Sequence, residues 1–531
     1  MSLFKSTLIV SAFTLLSRIS GLARDIVMAH YFGAGKATDA FFIAFKLPNF
    51  LRRLFGEGAF SQAFVPVLTE YRVQKDKSAV ADLIQHTMGT LAGILILLSL
   101  ICLIAAPVVV MGIAWGYIDQ PDKLALTTDM FRVTFPYILF ISLTALSAGV
   151  LNSYSKFAVP AFTPILLNLS LIGCAIWLAP YLDVPVKALA WGVFIAGILQ
   201  FGFQLPFLYK LGFLHWPRWG WKHTGVRRIM KLMVPGIVGS SVMQINLLFD
   251  IFIASFLVTG SITWLYYADR MLEFPLGVFG IALATVILPS LSEKHASDDT
   301  DGFSHMLDFA MRWVIIIGLP AAVALFILAK PLLATFLQHG AYTTHAIDMS
   351  TFALQAYSFG LLAHMMVKVL APGYFARQDT KTPMKIGLIA MASNMILNVV
   401  FVFALYKMNF DGLHVGLALA TAASGAINAY LLWHGLFKKN IHQPNKGWLW
   451  FGGQVFIACV VMVVVLIGIL GTIPEWYDLS LIEQILNLLM LVIAGAVSYF
   501  VVLFIMGIRP KDLARPNKSV PEKSVTENSA K

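Results

Sequence analysis

Ser17-Arg18-Ile19-Ser20-Gly21-Leu22-Ala23-Arg24-Asp25 sits inside an apolar stretch long enough to cross a membrane, yet it carries three charges. A second apolar stretch contains Asp39, Lys46, Arg52, Arg53 and Glu57, and a third, about 220 residues later, contains Asp269, Arg270 and Glu273. An ionised side chain at the bilayer centre costs roughly 2.5–3.5 kcal/mol on insertion scales, so such residues face a wet cavity or a partner. Arginines clustered in that setting point to an anionic passenger. The guanidinium fork donates bidentate hydrogen bonds to phosphate or carboxylate and keeps its charge.

The rest of the chain fits a membrane setting. Of 531 residues, 59% are hydrophobic and only 12% are Asp, Glu, Lys or Arg, about half the charged share of a soluble domain. The net charge of +11 lies largely in short loops, which membrane topology explains and nucleic-acid binding does not. Cys102, Cys174 and Cys459 each lie in an apolar run without metal-ligand spacing, so they read as small buried hydrophobes. The first apolar stretch runs on through Arg18 and Arg24 with no clear cleavage site, so it reads as a retained helix rather than a signal peptide.

A spanning helix needs about 20 mostly apolar residues. That rule gives fourteen spans, near residues 4–30, 38–68, 84–116, 131–152, 159–180, 186–209, 232–257, 262–291, 307–329, 350–373, 383–406, 412–436, 449–471 and 482–507. A short apolar piece near 331–338 reads as re-entrant or interfacial. With both termini inside, the cytoplasmic loops hold Arg72, Lys75, Lys77, Lys156, Lys210, Arg218, Lys222, Arg227, Arg228, Lys231, Arg377, Lys381, Lys438, Lys439 and Lys446. The opposite loops carry Asp119, Asp122, Asp183, Asp411 and Glu475. This is the positive-inside bias. Ala44-Phe45-Lys46-Leu47-Pro48-Asn49 resembles Ala268-Asp269-Arg270-Met271-Leu272-Glu273, which suggests two parallel lobes.

The expectation is therefore an all-α polytopic membrane protein with 14 transmembrane helices, N-in/C-in. It comprises a six-helix N-lobe (1–222), a six-helix C-lobe (223–440), two C-terminal helices (441–509) and a disordered tail (510–531). Transporters built this way bind substrate between the lobes, near the midplane.

Depth sharpens the arginine reading. At 1.5 Å per residue, Arg24 and Arg270 fall about 10 Å below the outer surface, and Arg18 and Arg52 about 20 Å. Asp39, Lys46 and Arg53 share a face of a regular helix, although Pro48 should kink or break it. Asp250 in the seventh span reads either as a ligand for a coupling Na⁺ or H⁺ or as the partner of a lysine such as Lys368. Asp379 is a second candidate cation ligand. The histidines show no His-x-x-x-His pair, so no metal site is expected, and no nucleotide or hydrolase motif is present. The chain reads as a transporter rather than an enzyme. No cofactor is expected, and coupling would run to membrane potential, Na⁺ or H⁺.

The first-helix stretch quoted above resembles the signature of the MurJ (MviN) lipid II flippases. So do Ala37-Thr38-Asp39-Ala40-Phe41-Phe42, Lys46-Leu47-Pro48-Asn49 with Arg52-Arg53, Glu57-Gly58-Ala59-Phe60-Ser61-Gln62-Ala63-Phe64-Val65-Pro66, Tyr266 to Pro275, and Ala371-Pro372-Gly373-Tyr374. The resemblance spans the membrane region and implies the multidrug/oligosaccharidyl-lipid/polysaccharide exporter fold. It implies flipping of undecaprenyl-pyrophosphate-linked disaccharide pentapeptide across the inner membrane for peptidoglycan synthesis. It places the family's cavity arginines on Arg18, Arg24, Arg52 and Arg270, with Asp39 as acidic partner; the motif residues Asn49, Arg53, Glu57 and Glu273 complete the candidate substrate-binding set. A lipid-tail groove is implied at the last two helices. The implied partners are lipid II, membrane lipids and other cell-wall synthesis proteins, with no nucleic acid and a monomeric state.

Three rival classes compete with that expectation. A cationic-drug exporter of the same fold would favour an acidic or aromatic cavity, against the arginines. An O-antigen flippase would share the pyrophosphate problem, and only the family motifs speak against it. A membrane phosphotransferase would need metal-binding acids, and Asp298-Asp299-x-Asp301 reads instead as a solvated linker.

Overall fold

The computed structural model describes residues 3–52, 60–277, 281–444 and 447–509. The candidates Arg53 and Glu57, and the tail 510–531, lie outside the described residues. Among the described residues the chain is all-α, as expected, with no strand.

Each expected span is occupied by a helix or by two helices in succession. The first two spans become α1 (Leu3–Phe32), α2 (Lys36–Arg52) and α3 (Phe60–Gln74). The third and fourth become α4 (Lys77–Ile104), α5 (Ala106–Ile113), α6 (Pro121–Thr134) and α7 (Tyr137–Ser153). Then follow α8 (Ala158–Gly173), α9 (Lys187–Leu211) and α10 (Thr224–Ala254), and the eighth span divides into α11 (Ser261–Pro275) and α12 (Ile281–Ala296). The remainder are α13 (Thr300–Ile327), α14 (Ala329–Leu337), α15 (Thr344–Phe375), α16 (Lys381–Lys407), α17 (Val415–Lys438), α18 (Trp448–Leu470) and α19 (Leu481–Ile505). Ten of the described helices are long and apolar enough to cross a membrane. The charged or interrupted first, second, seventh and eighth spans are not among them.

Polar side chains stop the helices where the loops begin. Asp76 caps α4 by accepting from the Ala79 N–H. Asp299 caps α13 by accepting from the Gly302 N–H at 2.8 Å, so the acidic loop 298–301 serves a helix terminus. Ser480 and Glu483 form a reciprocal capping box on α19.

Two internal prolines reveal how this fold satisfies its backbone. Pro48 was expected to kink or break the second span, but α2 continues through it to Arg52. Proline has no N–H, so the carbonyl four residues earlier loses its helical donor. That carbonyl belongs to Ala44, and the buried Thr134 hydroxyl donates to it at 3.0 Å. Pro320 inside α13 orphans the Ile316 carbonyl in the same way, and the Tyr499 hydroxyl of α19 donates to it at 2.8 Å. With little water inside a bilayer, a side chain of a neighbouring helix supplies the donor at both of these positions.

The fourth span also begins earlier than the expected residue 131. α6 and α7 together form one membrane-length element, Pro121–Ser153. Lys123, assigned to an outer loop from sequence, is 1% exposed within it. Pro121 starts that helix because a first-turn residue needs no amide donor.

By internal contacts the chain divides into two compact units: Met1–Arg270, Lys330–Leu354 and Met391–Thr421, and Met271–Ala329, Gln355–Ala390 and Ala422–Lys531. In the first, Phe41, Phe64, Phe131, Phe135 and Tyr137 are fully buried. A polar chain crosses this core: Tyr137 donates to Gln200 at 3.1 Å, and Gln200 to the Thr163 carbonyl at 3.2 Å. Lipid tails are as apolar as leucine, so close packing and such bonds hold the helices together. In the second unit, a Cβ on Gly360 would lie 2.7 Å from the Ala422 Cα, so α15 and α17 approach at backbone distance.

Candidate substrate-binding and coupling sites

Asp25 is fully buried and joins two of the candidate arginines. It accepts from Arg24 Nε at 3.0 Å and Nη2 at 2.6 Å on one side, and from Arg270 Nε at 2.8 Å on the other. The Tyr266 hydroxyl donates to the same carboxylate at 3.0 Å. Arg24 is held further by Asn168 of α8, whose Oδ1 accepts from Nη1 at 3.1 Å. Asn168 in turn donates to the Ser20 hydroxyl at 2.9 Å. Gly21 permits the assembly, since a Cβ there would come within 2.8 Å of Arg270 Nη2. The two arginines differ in access: the Arg24 side chain is 11% exposed and that of Arg270 32%. Arg270 is the more accessible member of the pair.

The other candidates take different positions. Arg52 Nε donates to Asn49 Oδ1 at 3.0 Å, one turn apart on α2. Arg18 is half-buried on α1, and Glu273 is exposed at the end of α11. Asp39 is 1% exposed. One of its oxygens accepts from the Gly260 N–H at 2.7 Å, and the other from the Thr263 N–H at 3.0 Å and hydroxyl at 2.7 Å. Asp39 thus caps the start of α11, the helix that carries Arg270. Lys123 Nζ lies 3.5 Å from it, over the Tyr117 ring.

Asp250 accepts from Asn398 Nδ2 at 2.6 Å, and Asn398 contacts Asn394 Oδ1 at 3.0 Å. Asn394 reaches the Thr421 hydroxyl at 3.5 Å. Lys46 is within electrostatic reach of Asp250. Asp379 is placed elsewhere, at the start of α16. It accepts from the Thr382 N–H at 3.0 Å, the Thr382 hydroxyl at 2.7 Å and Lys439 at 3.2 Å. The Thr382 bonds, with help from Lys439, hold that carboxylate down at about 2.

α13, α18 and α19 enclose a groove of about 820 Å³ lined by Trp313, Ile317, Met462, Leu466, Val492, Phe500 and other apolar residues. Tyr499 lies in its wall with its hydroxyl spent on Ile316. The groove suits a long hydrocarbon chain.

Asp82, His86 and His223 also converge, with ligand atoms within 4.8 Å of one another. His223 Nδ1 accepts from the Gly225 and Val226 N–H groups, so its proton sits on Nε2, facing Asp82 at 3.2 Å. This is a hydrogen-bonded helix start, occupied by protons where a metal would need lone pairs.

Sequence reasoning missed Asn168, Asn394, Asn398, Thr421 and Tyr266. An amide or hydroxyl inside an apolar span gave a signal, but a weak one. Lys123 gave a stronger one, a lysine close to an apolar run, obscured by the span boundary.

A sequence model of the family described as "Lipid II flippase MurJ" matches residues 28–487. A "Probable lipid II flippase MurJ" of Vibrio cholerae is 47% identical over 519 residues, covering 96% of this chain and 97% of its own length. A "Lipid II flippase MurJ" of Burkholderia cenocepacia is 40% identical over 518 residues, covering 96% and 98%. A solved lipid II flippase MurJ in an inward closed conformation matches with a TM-score of 0.79 at 28% identity, covering 96% of this chain and 100% of that one. An inward-facing MATE-family transporter of the MOP superfamily has the same fold, with a TM-score of 0.63 at 13% identity and coverage of 82% and 98%.

Proposed function

Because this chain belongs to the lipid II flippase MurJ family, we propose that it is a lipid II flippase of the bacterial inner membrane. It carries undecaprenyl-pyrophosphate-linked disaccharide pentapeptide from the inner to the outer leaflet by alternating access, for peptidoglycan synthesis. The observation that supports this most directly is the Arg24–Asp25–Arg270 network with Arg270 partly exposed.

The chemistry follows from the charges. A diphosphate leaving water needs donors to replace its hydration, and guanidinium groups supply them in pairs. Asp25 holds both forks in place before the ligand arrives, so little is lost to ordering them. The same acid limits affinity, because it competes for the arginines and favours release once the head group can leave. Arg18 and Arg52 extend the basic path along α1 and α2. The groove formed by α13, α18 and α19 receives the prenyl tail. Asp39 acts one step back, fixing α11 and with it Arg270.

Energy for net transport comes from membrane potential or a cation. Asp250, Asn394, Asn398 and Thr421 form the oxygen-bearing cluster suited to sense Na⁺ or H⁺, with Lys46 as its resident cation in the unloaded state. Asp379 serves α16 and Lys439 instead.

The test uses purified protein in liposomes containing labelled undecaprenyl-pyrophosphate disaccharide pentapeptide. Outer-leaflet exposure is followed over time for wild type and Arg270→Ala, with and without an imposed potential. Faster exposure than in empty liposomes, lost in the variant, is the expected result. Equal exposure by a folded Arg270→Ala protein would remove the arginine network from the mechanism.

A further inference from the structure

His442 is completely buried, and neither of its ring nitrogens has a hydrogen-bond partner. It lies in the connection between α17 and α18. Burial pushes its pKa down, so at neutral pH the ring offers one N–H donor and one lone pair, both unused. A buried polar group left this way is costly, and each instance in a native structure calls for an occupant. Asp308, the nearby acid, is already engaged by Arg312 at 3.0 Å and by the Trp448 indole N–H at 2.6 Å.

His442 is among the residues that border a separate cavity of about 430 Å³ in the second unit. Its other walls include Met311, Met366, Tyr430, Trp433 and Trp448, and none of them carries a charge at neutral pH. Depth along the helices orders these residues. Met311 lies about 16 Å from the start of α13, Met366 about 14 Å from the end of α15, and Tyr430 about 12 Å from the end of α17, at 1.5 Å per residue. The ends of α15 and α17 adjoin the basic loops, whereas the start of α13 adjoins the acidic loop 298–301, and His442, Pro444 and Trp448 lie at that level. The cavity therefore runs from an interfacial end at His442 and Trp448 to a floor of methionine and aromatic side chains. Its depth is close to half of a hydrocarbon core of about 30 Å, which is one leaflet.

We propose that this cavity binds a glycerophospholipid of the lysine-rich leaflet, with one acyl chain between Met311, Met366 and Tyr430 and the glycerol-ester region hydrogen-bonded to His442. Ester carbonyls lie where an aromatic belt meets the head groups, and a carbonyl accepts the imidazole N–H that the protein leaves unpartnered. Lys438, exposed at the end of α17 on the same side, favours an anionic head group. The cavity has about half the volume of the groove at α13, α18 and α19, and it is one leaflet deep, so it fits an acyl chain rather than a long prenyl tail. This assignment is independent of what the protein transports.

The experiment places the full-length protein in nanodiscs containing phosphatidylglycerol with a photoreactive diazirine in its acyl chain. A parallel sample carries a photoreactive polyprenyl phosphate. After illumination, the labelled peptides are mapped. The phospholipid probe should mark the peptides containing Met311 and Met366 more than the lipid-facing peptides containing Val464 and Ile482. Unlabelled phosphatidylglycerol should compete, about tenfold less effectively in His442→Phe, as expected for the loss of one hydrogen bond. Labelling by the polyprenyl probe instead would overturn the assignment to phospholipid. No enrichment at Met311 and Met366 in wild type would overturn the site, and undiminished competition in His442→Phe would overturn the role of the histidine. The wild-type map decides the first two outcomes without any variant having to fold.

Discussion

Tyr499→Phe removes one oxygen and leaves the ring in place. In wild type that hydroxyl donates at 2.8 Å to the Ile316 carbonyl, which Pro320 has deprived of its helical donor. The phenylalanine variant therefore leaves a buried backbone carbonyl facing an apolar groove. Burying such a group without a partner costs about 1–3 kcal/mol by mutational measure. Interhelical hydrogen bonds in membranes average only about 0.6 kcal/mol, because the unfolded-in-membrane state finds other partners. Within its own helix Ile316 has no i+4 donor, since Pro320 lacks the N–H in every state, and only a strained 3₁₀ turn could replace it. The expected loss is thus about 1–2 kcal/mol, toward the upper end of what such bonds contribute. The control is Pro320→Ala, which restores the missing N–H. In that background Tyr499→Phe should cost close to nothing. Unfolding by a graded denaturing detergent, followed by tryptophan fluorescence in all four proteins of the cycle, reads the coupling directly. An equal cost for Tyr499→Phe with and without Pro320 would refute the reasoning, because the loss would then have nothing to do with the orphaned carbonyl.

Four further outcomes follow from the geometry. Lys123→Met leaves the Asp39 carboxylate buried without its cation and should destabilise the protein by about 3 kcal/mol, the low end for a broken buried pair because three hydrogen bonds remain; the melting midpoint in detergent should fall and recover in part with Asp39→Asn added. Gly33→Ala forces an alanine into a backbone with φ of 60° and drives its Cβ into the Ala341 carbonyl, so its midpoint should fall sharply while Gly35→Ala, with open space around it, changes little. Asp379→Asn should lower stability at neutral pH; because the folded carboxylate is held at about 2, below its ordinary 3.8, the gap from wild type should be full above about pH 4 and close as the pH falls toward 2, as read from denaturation midpoints across that range. Ala496→Trp should fill the apolar groove at α19 and slow exposure of the long-chain substrate in liposomes more than that of a short-chain analogue, while leaving the arginine network intact.

Much of the helical framework was legible because the bilayer demands the same thing of every span: about 20 apolar residues with the backbone satisfied internally. The failures came where satisfaction is not internal. Pro48 reads as a kink or a break; the helix runs on through it, and nothing near it says that Thr134, 86 residues later, supplies the missing donor. Lys123 read as a loop residue because an apolar window places the fourth span from 131 onward. Its burial depends on Asp39, a partner that only tertiary packing brings within 3.5 Å. Asp379 looked like a cation ligand because it is a carboxylate near a span, whereas an aspartate three residues before a helical N–H is commonly a cap. Asp250 gained neutral amides as neighbours, and amides inside apolar runs carry little weight in a reading based on charge.

The arginines illustrate the same limit in the site itself. Counting charges along the sequence puts four positive groups at similar depths and a nearly equal number of acids around them. Counting alone cannot say which charges are spent. Asp25 follows Arg24 directly in the chain, and adjacent residues on a helix do not ordinarily face each other; yet Arg24 turns back onto it while Arg270, 245 residues later, closes the other side. Arg24 is buried against Asp25, and Arg270, bound to the same carboxylate, is the more exposed of the two arginines. A clamp of four equal arginines would grip a diphosphate too tightly to let it go. Under the proposed function, one partly exposed arginine, oriented by a buried acid that also competes for it, would hold a diphosphate less tightly and let it go.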